Sequence, residues 1–227
     1  KAVTACTKHY FQASVERRRW VSQVLYRGFS NFKFTNGTNT LRIVGDILAR
    51  YVYWVKGENG KNIPMECLGF NRDLEEFDNV ATDWVRKFYP DQNCSWSYAT
   101  QAVVKDDDGN YKVQVVNLKK KLWEQVISAA EDLGDPTDPK TGWDLIFHRT
   151  KTGPLPYNVE YTLQPLKCKI RPLLPAELDA IAEIKSMDDV MPLPTEAAQK
   201  ELLERLRDGG ESAANMDKDV AGDFDIT

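Results

Sequence analysis

Three pairs of β-prone segments, each joined by a short turn cluster, constrain the fold of this chain more than any other feature of its sequence. These pairs are 41–55 with 61–67, 95–105 with 111–116, and 143–149 with 157–163. Segments rich in β-branched and aromatic residues, separated by Gly, Asn, Asp and Pro, are typical of antiparallel hairpins. We therefore predict a mainly β core built from short antiparallel strands.

Apolar residues at helical spacing predict three helices outside these hairpins. The first covers 73–89 and ends at Pro90, the second covers 119–133 and ends before Gly134, and the third begins after Thr195 and ends at Arg207. A helix between the second and third hairpins favours a small Greek-key barrel, the OB-fold in particular. A generic α+β sheet stays open as the alternative.

The predicted division of the chain has four parts. A flexible, basic and aromatic N-terminal arm covers 1–40, and an OB-fold core with a helical insert at 71–90 covers 41–170. A linker with a helix follows over 171–208. The last part, 209–227, is rich in Gly, Ala, Ser and Asp and is expected to be a disordered acidic tail.

Charge is distributed unevenly over the 227 residues, although the net charge is only −4. Residues 1–65 hold 11 basic and 3 acidic side chains, whereas residues 172–227 hold 5 basic and 14 acidic ones. The first segment also contains ten of the 24 aromatic residues. A basic, aromatic region suits single-stranded nucleic acid, because cations meet phosphates and rings stack on exposed bases.

Motifs for other functions are weak or missing. The sequence has no run of 18 apolar residues, no secretory signal pattern and no phosphate-binding glycine loop. Its four cysteines are scattered, so we expect no metal, no cofactor and reduced thiols. Asp144 and Glu160 on consecutive predicted strands are a faint sign of a metal-dependent nuclease. We predict that the protein is not an enzyme.

Aromatic residues spaced two apart provide candidate stacking surfaces, because such residues share one face of a strand. Tyr51 with Tyr53 and Trp96 with Tyr98 have this spacing, while Arg50 would point to the other face of an unbroken strand. The predicted nucleic-acid-binding residues are Arg42, Arg50, Tyr51, Tyr53, Trp54, Lys56, Lys61, Trp96, Tyr98, Tyr111, Lys112, Arg149 and Lys151.

The segment from Tyr98 to Glu124 has a familiar order of features. Val103-Val104-Lys105-Asp106 leads into an acidic turn and a strand, and Lys120-Lys121-Leu122-Trp123-Glu124 opens a helix. With the hairpin over 143–163, this order resembles the T-even phage single-stranded DNA-binding (helix-destabilising) proteins, over about residues 40–165. The resemblance implies an OB-fold that binds single strands through aromatic and basic side chains, with Tyr98 at a stacking position.

The same resemblance implies roles for the two ends of the chain. Arg17, Arg18 and Arg19 become candidates for an arm that supports cooperative self-association along DNA. The acidic tail is expected to recruit replication and recombination proteins and to compete with DNA. Its candidate residues are Asp217, Asp219, Asp223, Phe224 and Asp225. The zinc knuckle of that family has no counterpart here, because the residues that follow Cys67 supply no further thiols.

The sequence therefore predicts a single-stranded DNA-binding protein that coats single strands during phage DNA replication, recombination and repair. It would act in the cytoplasm of the infected bacterial host, with no membrane partner. Two alternatives stay open. One is an OB-fold phage factor that regulates transcription or binds other proteins, and the less favoured one is the metal-dependent nuclease.

Overall fold

The computed structural model describes residues 30–57, 62–155 and 158–207, which form eight strands and five α-helices. The strands are β1 Gly37–Lys56, β2 Asn62–Glu66, β3 Phe70–Asn71, β4 Glu76–Phe77, β5 Cys94–Lys105, β6 Tyr111–Lys119, β7 Leu145–Lys151 and β8 Val159–Leu163. The helices are α1 Trp84–Phe88, α2 Lys120–Leu133, α3 Pro175–Ala180, α4 Met187–Val190 and α5 Glu196–Arg207. The predicted arginine arm, the acidic tail and Lys61 lie outside the described residues.

The long strand β1 organises the main sheet. Its first residues pair with β7, from Gly37 opposite Arg149 to Leu41 opposite Leu145. Its later residues pair with β5 on one side and β2 on the other. The β5 register shifts between Val44 and Ile47, where Gly45 adopts a φ of 75°. Glycine tolerates this conformation, so the bulge lets one strand serve two differently oriented partners.

The sheet is antiparallel and open, with strand order β6-β5-β1-β7-β8 and β2 attached to β1. Within the described residues no pairing joins β6 to β8, so the closed barrel predicted from the sequence is wrong for this structure. The three hairpins themselves are confirmed, as is α2 between the second and the third. The structure is thus a mainly β sheet with added helices.

The segment Ser30–Phe34 lies along the open seam of the sheet. The Phe32 amide donates to the Val115 carbonyl of β6 at 2.8 Å, and the Val115 amide donates to Ser30 at 3.1 Å. On the other side of the seam, the Phe34 ring centroid lies 5.3 Å from that of Tyr161 in β8. This segment therefore covers the backbone edge of β6 that a closed barrel would pair.

Both faces of the sheet are covered by apolar packing. On one face α2 packs Leu122, Trp123 and Val126 against β-strand residues such as Ile43 and Leu118. On the other face the segment 173–191 covers the sheet. It packs Leu173 against Val44 and Val103, and it packs Met187, Val190 and Met191 against Leu48, Ala99 and Val115. The sequence did not predict α3 and α4, because each spans fewer than seven residues and shows no clear period.

The predicted helix over 73–89 is wrong except for its last turn and a half, which is α1. The preceding residues form the β3–β4 hairpin and a loop. Asn71 accepts the amides of Asp73 and Leu74, and Asp78 accepts the amide of Val80, so side chains compete with helical hydrogen bonds. The apolar spacing was misleading because Leu74 and Val80 are 64% and 84% exposed.

Helix α5 confirms the predicted C-terminal helix and packs onto the insert between β1 and β5. Thr195 caps it, since its hydroxyl accepts the Ala198 amide at 3.2 Å. The buried Gln199 side chain accepts the Trp84 amide at 2.8 Å and donates to the Glu66 carbonyl at 2.7 Å. The linker helix thereby becomes part of the core and not an appendage. No helix in the described part of the chain is long and apolar enough to cross a membrane.

A buried ionic cluster ties β1, β2 and the C-terminal segment together. Glu66 pairs with Arg50 and, at 3.2 Å, with Arg72, and all three side chains are about 95% buried. Arg50 also donates to Asn117 at 3.2 Å, and Arg72 donates to the Met191 carbonyl at 2.7 Å. Glu66 is therefore a buried carboxylate shared by two guanidinium groups, and the exposed Asp188 lies 3.9 Å from Arg72.

We predict that Glu66→Gln lowers the free energy of unfolding by about 3–5 kcal/mol, because it removes the buried carboxylate that pairs with Arg50 and leaves Arg72 with the exposed Asp188 at 3.9 Å. Glu201→Gln is the matched control, since the Glu201–Arg205 pair is exposed on α5 and should contribute about 0.5 kcal/mol or less. Urea denaturation of both variants measures the difference. Equal stability of the two variants would contradict the prediction.

Candidate nucleic-acid interface

Five rings form a continuous row across β4, β1, β5 and the first turn of α2. We call Phe77, Tyr51, Trp96, Tyr98 and Trp123 the aromatic row. Successive ring centroids are 4.7, 4.9, 5.7 and 5.2 Å apart. Tyr51 and Trp96 are direct cross-strand partners, and Tyr98 follows two residues after Trp96, so the strand pleat places all three on one face.

The rings of the row are held from behind by the buried Phe70. Its centroid lies 4.8 Å from Tyr51 and 6.1 Å from Trp96. Tyr51, Trp96 and Tyr98 are each partly exposed. Rings that are fixed on one side and open on the other can accept a planar ligand with little loss of side-chain entropy.

Two consecutive lysines at the start of α2 lie beside two different groups of rings. The Lys120 ammonium lies 5.6 Å from the Trp96 centroid, and the Lys119 ammonium lies 5.8 Å from the Tyr161 centroid. Tyr161 belongs to a second group that includes Phe34 and Phe147. Arg149 adds a guanidinium there, donating to the Tyr161 hydroxyl at 3.3 Å. The lysines thus place positive charge between two aromatic surfaces.

The tyrosine at the centre of this face is weakly acidic. Burial raises the pKa of Tyr98 to about 12, and the negative charges of Glu75 and Glu124 act in the same direction. Tyr98 therefore stays neutral at physiological pH and presents a phenol ring without charge.

A polar cluster lies under the Tyr51 end of the row. The Tyr53 hydroxyl donates to Asp83 at 2.9 Å, and the Cys67 thiol donates to the same oxygen at 3.0 Å. Burial raises the pKa of Tyr53. Cys94 lies beside Cys67, and hydrogen bonding between their thiols raises the pKa of Cys67 and lowers the pKa of Cys94 to about 7. This cluster anchors α1 to the sheet through the α1 N-cap Asp83.

Three predicted binding residues are buried and unavailable to a ligand in this structure. Arg42 is 1% exposed and donates to the carbonyls of Asp138 and Arg171 at 2.7 and 3.3 Å. Arg50 belongs to the ionic cluster, and Tyr53 belongs to the polar cluster. The sequence placed them correctly on strands, but burial depends on which elements cover each face.

The remaining predicted residues divide between two faces. Tyr51, Trp96 and Tyr98 come together in the aromatic row. Trp54 lies on the opposite face of β1 from Tyr51, and Tyr111 packs there near Val44 and Val103. Lys56, Lys112 and Lys151 are exposed, and Arg149 lies at Tyr161. Arg149 thus borders the second aromatic group, and the four cations do not form a single line along the aromatic row.

Sequence reasoning missed several residues of the site. Those added by the structure are Phe34, Phe70, Phe77, Lys119, Lys120, Trp123 and Tyr161. Only the Lys119-Lys120-Lys121 run was a visible signal, since a basic run just after a strand marks one edge of a sheet. The aromatic residues come from separate segments, so their proximity is a property of the fold.

The faint nuclease signal at Asp144 has a structural explanation. Arg171 binds both oxygens of Asp144 at 2.7 and 2.8 Å and also binds Glu177. Burial alone would raise the pKa of Glu177, but the hydrogen bonds from Arg171 hold it below its ordinary value. Within the described residues, no three Asp, Glu, His or Cys side chains form a group that could hold a metal ion.

Comparison with known proteins finds a relative in a bacteriophage. The chain is 26% identical over 226 residues to the "Probable ssDNA-binding protein" of Escherichia phage T5, covering 83% of this chain and 84% of that protein. No protein-family model matches the chain, and no solved structure matches it significantly. The likeness to a phage T5 protein gives no support to the T-even type in particular.

We predict that Cys94 is the most readily alkylated of the three cysteines in the described residues near neutral pH. The pKa of Cys94 is lowered to about 7, whereas the pKa values of Cys67 and Cys168 are both raised, so Cys94 forms the reactive thiolate most easily. Iodoacetamide labelling with peptide mapping should give a half-maximal rate near pH 7 for Cys94. Cys67→Ala should move this midpoint upward, and an unchanged midpoint would contradict the assigned hydrogen bond.

Proposed function

We propose that this chain is a non-catalytic, single-stranded DNA-binding protein. The observation that carries the proposal is the aromatic row, bordered at Trp96 by Lys120 and continued past Lys119 to Tyr161. Single-strand binding requires rings for unstacked bases and cations that follow the backbone. The name of the phage T5 relative supports the same ligand.

We further propose that the core is an open OB-type barrel. Strands β1, β5, β6, β7 and β8 have the order expected of such a fold: β1 pairs with both β5 and β7, and α2 lies between β6 and β7. OB-folds bind oligonucleotides on the second and third strands and on the loops that follow the first and fourth strands. The aromatic row lies on β5 and the insert after β1, and Tyr161 lies beyond the loop that follows β7.

The wider biological role follows from the same proposal. Coating single strands would serve DNA replication, recombination and repair in the host cell of a phage, and the phage T5 relative supports that setting. The arginine arm at 17–19 and the acidic tail over 209–227 are proposed to mediate self-association and recruitment of replication proteins. Their opposite charges, visible in the sequence, support this division of roles.

We predict that Trp96→Ala weakens binding of labelled oligothymidylate by about 1–3 kcal/mol, because one base loses its stacking partner. Trp54→Ala is the matched control, since Trp54 is also a half-buried tryptophan of the sheet but lies on the opposite face. Fluorescence anisotropy measures both affinities. Equal losses in the two variants would place the DNA elsewhere.

We predict that Lys120→Ala reduces the slope of log affinity against log salt by about 0.7, the value for one phosphate contact on a single strand. Lys140→Ala removes the same charge beyond the far end of α2 and should leave the slope unchanged. Titrations at several salt concentrations, with single-stranded and duplex DNA compared, give these slopes. A wild-type protein that binds neither form would favour the protein-interaction alternative.

A further inference from the structure

The loop and strand that follow β3 form a short acidic segment beside the aromatic row. We call residues 73–78 the acidic segment; it carries carboxylates at Asp73, Glu75, Glu76 and Asp78. Strand β4 in this segment pairs with β3 through only two residue pairs, Phe70 with Phe77 and Asn71 with Glu76. Both residues of β4 are exposed, so little packing holds the segment in place.

The phenylalanine of this segment covers one end of the aromatic row. Phe77 is 44% exposed, and its centroid lies 4.7 Å from Tyr51. Tyr51 also contacts Phe70 at 4.8 Å and Trp96 at 4.9 Å. Phe77 therefore occupies one side of the Tyr51 ring, and a nucleobase could stack on that side only if Phe77 moved away.

The two sides of the hairpin are anchored very differently. On the β3 side, Phe70 is 3% exposed, and Arg72 is fixed by Glu66 and by the Met191 carbonyl. The acidic segment is bound to the hairpin locally, for example by the 2.8 Å hydrogen bond that Asn71 donates to Asp78. Strand β4 can therefore separate from β3 without disturbing the buried ionic cluster.

The observed conformation of the acidic segment also carries a free-energy cost at Glu75. Glu75 has a φ of 53°, a left-handed conformation that a residue with a Cβ atom rarely adopts. Partial desolvation raises the pKa of the Glu75 carboxyl, although the side chain remains exposed. Opening the segment would relieve both costs.

We propose that the acidic segment is a built-in lid that imitates a single strand, with Phe77 in the place of a base and the carboxylates in the place of phosphates. The proposal rests on the proposed DNA-binding function. A single strand displaces the lid because it supplies an unstacked base for Tyr51, and because the repulsion between its phosphates and the four carboxylates is relieved when the segment moves away. A duplex has no unstacked base to exchange for Phe77, so the lid favours single strands over duplex.

Hydrogen exchange of the wild-type protein tests the displacement directly. Addition of saturating oligothymidylate should make the amides of Glu76 and Phe77 exchange faster, because the β3–β4 pairing opens. Most binding sites are protected by their ligand, so this sign is distinctive. Slower or unchanged exchange over 73–78, with protection elsewhere in the protein, would overturn the lid.

Substitution of the covering ring provides the second test. Phe77→Ala should bind oligothymidylate several-fold more tightly than the wild type and should bind duplex relatively better. Leu74→Ala is the matched control, because Leu74 is a 64% exposed apolar residue of the same segment outside the aromatic row. Weaker binding by Phe77→Ala would make Phe77 a stacking residue, and unchanged binding would show that it covers nothing. Either result overturns the proposal.

A charge comparison separates the lid from general repulsion. The double substitution Glu75→Gln and Glu76→Gln should raise affinity more than Asp107→Asn with Asp108→Asn. The second pair removes the same charge from the exposed β5–β6 turn. Equal effects would mean long-range electrostatics alone and would overturn the lid. If the wild-type protein and all variants fail to bind any oligonucleotide, the proposed function fails; if they bind with normal β4 exchange, only the lid fails.

Discussion

The backbone pairing of β1 is the constraint on which the rest of the structure depends. This strand hydrogen-bonds to β7, β5 and β2 along its 20 residues, and the bulge at Gly45 lets it turn from one partner to the next. The register shift at this bulge determines which side chains share a face of β1 after Ile47. It places Tyr51 opposite Trp96 on one face and Arg50 on the other, where Glu66 and Arg72 surround it.

The proposed binding face lies where the regular sheet ends. The aromatic row extends from the apolar core under α2 to the exposed Phe77, so its inner end is rigid and its outer end meets solvent. Two lysines at the start of α2 add charge at the middle of this path. A rigid inner part orders a ligand at low entropic cost, while a weakly held outer part can exchange with it.

Local sequence patterns predicted the elements well where they were strongly periodic. The hairpin β5–β6, the helix α2 and the capped helix α5 follow from alternation, turn residues and apolar spacing. The segment 73–83 did not, because its apolar residues have helical spacing but are exposed, and its Asn and Asp side chains bind the backbone instead. Apolar residues at helical spacing indicate a helix only when another part of the protein packs against the face that they form.

The sequence by itself determined the hairpins, the pairing of rings two residues apart, and the contrast between a basic beginning and an acidic end. Tertiary structure decided which of those residues a ligand can reach. It buried Arg42, Arg50 and Tyr53, and it assembled Phe77, Lys120 and Tyr161 from distant segments. The physical reason is that strand faces follow from local alternation, whereas exposure depends on long-range packing of the insert and the C-terminal segment.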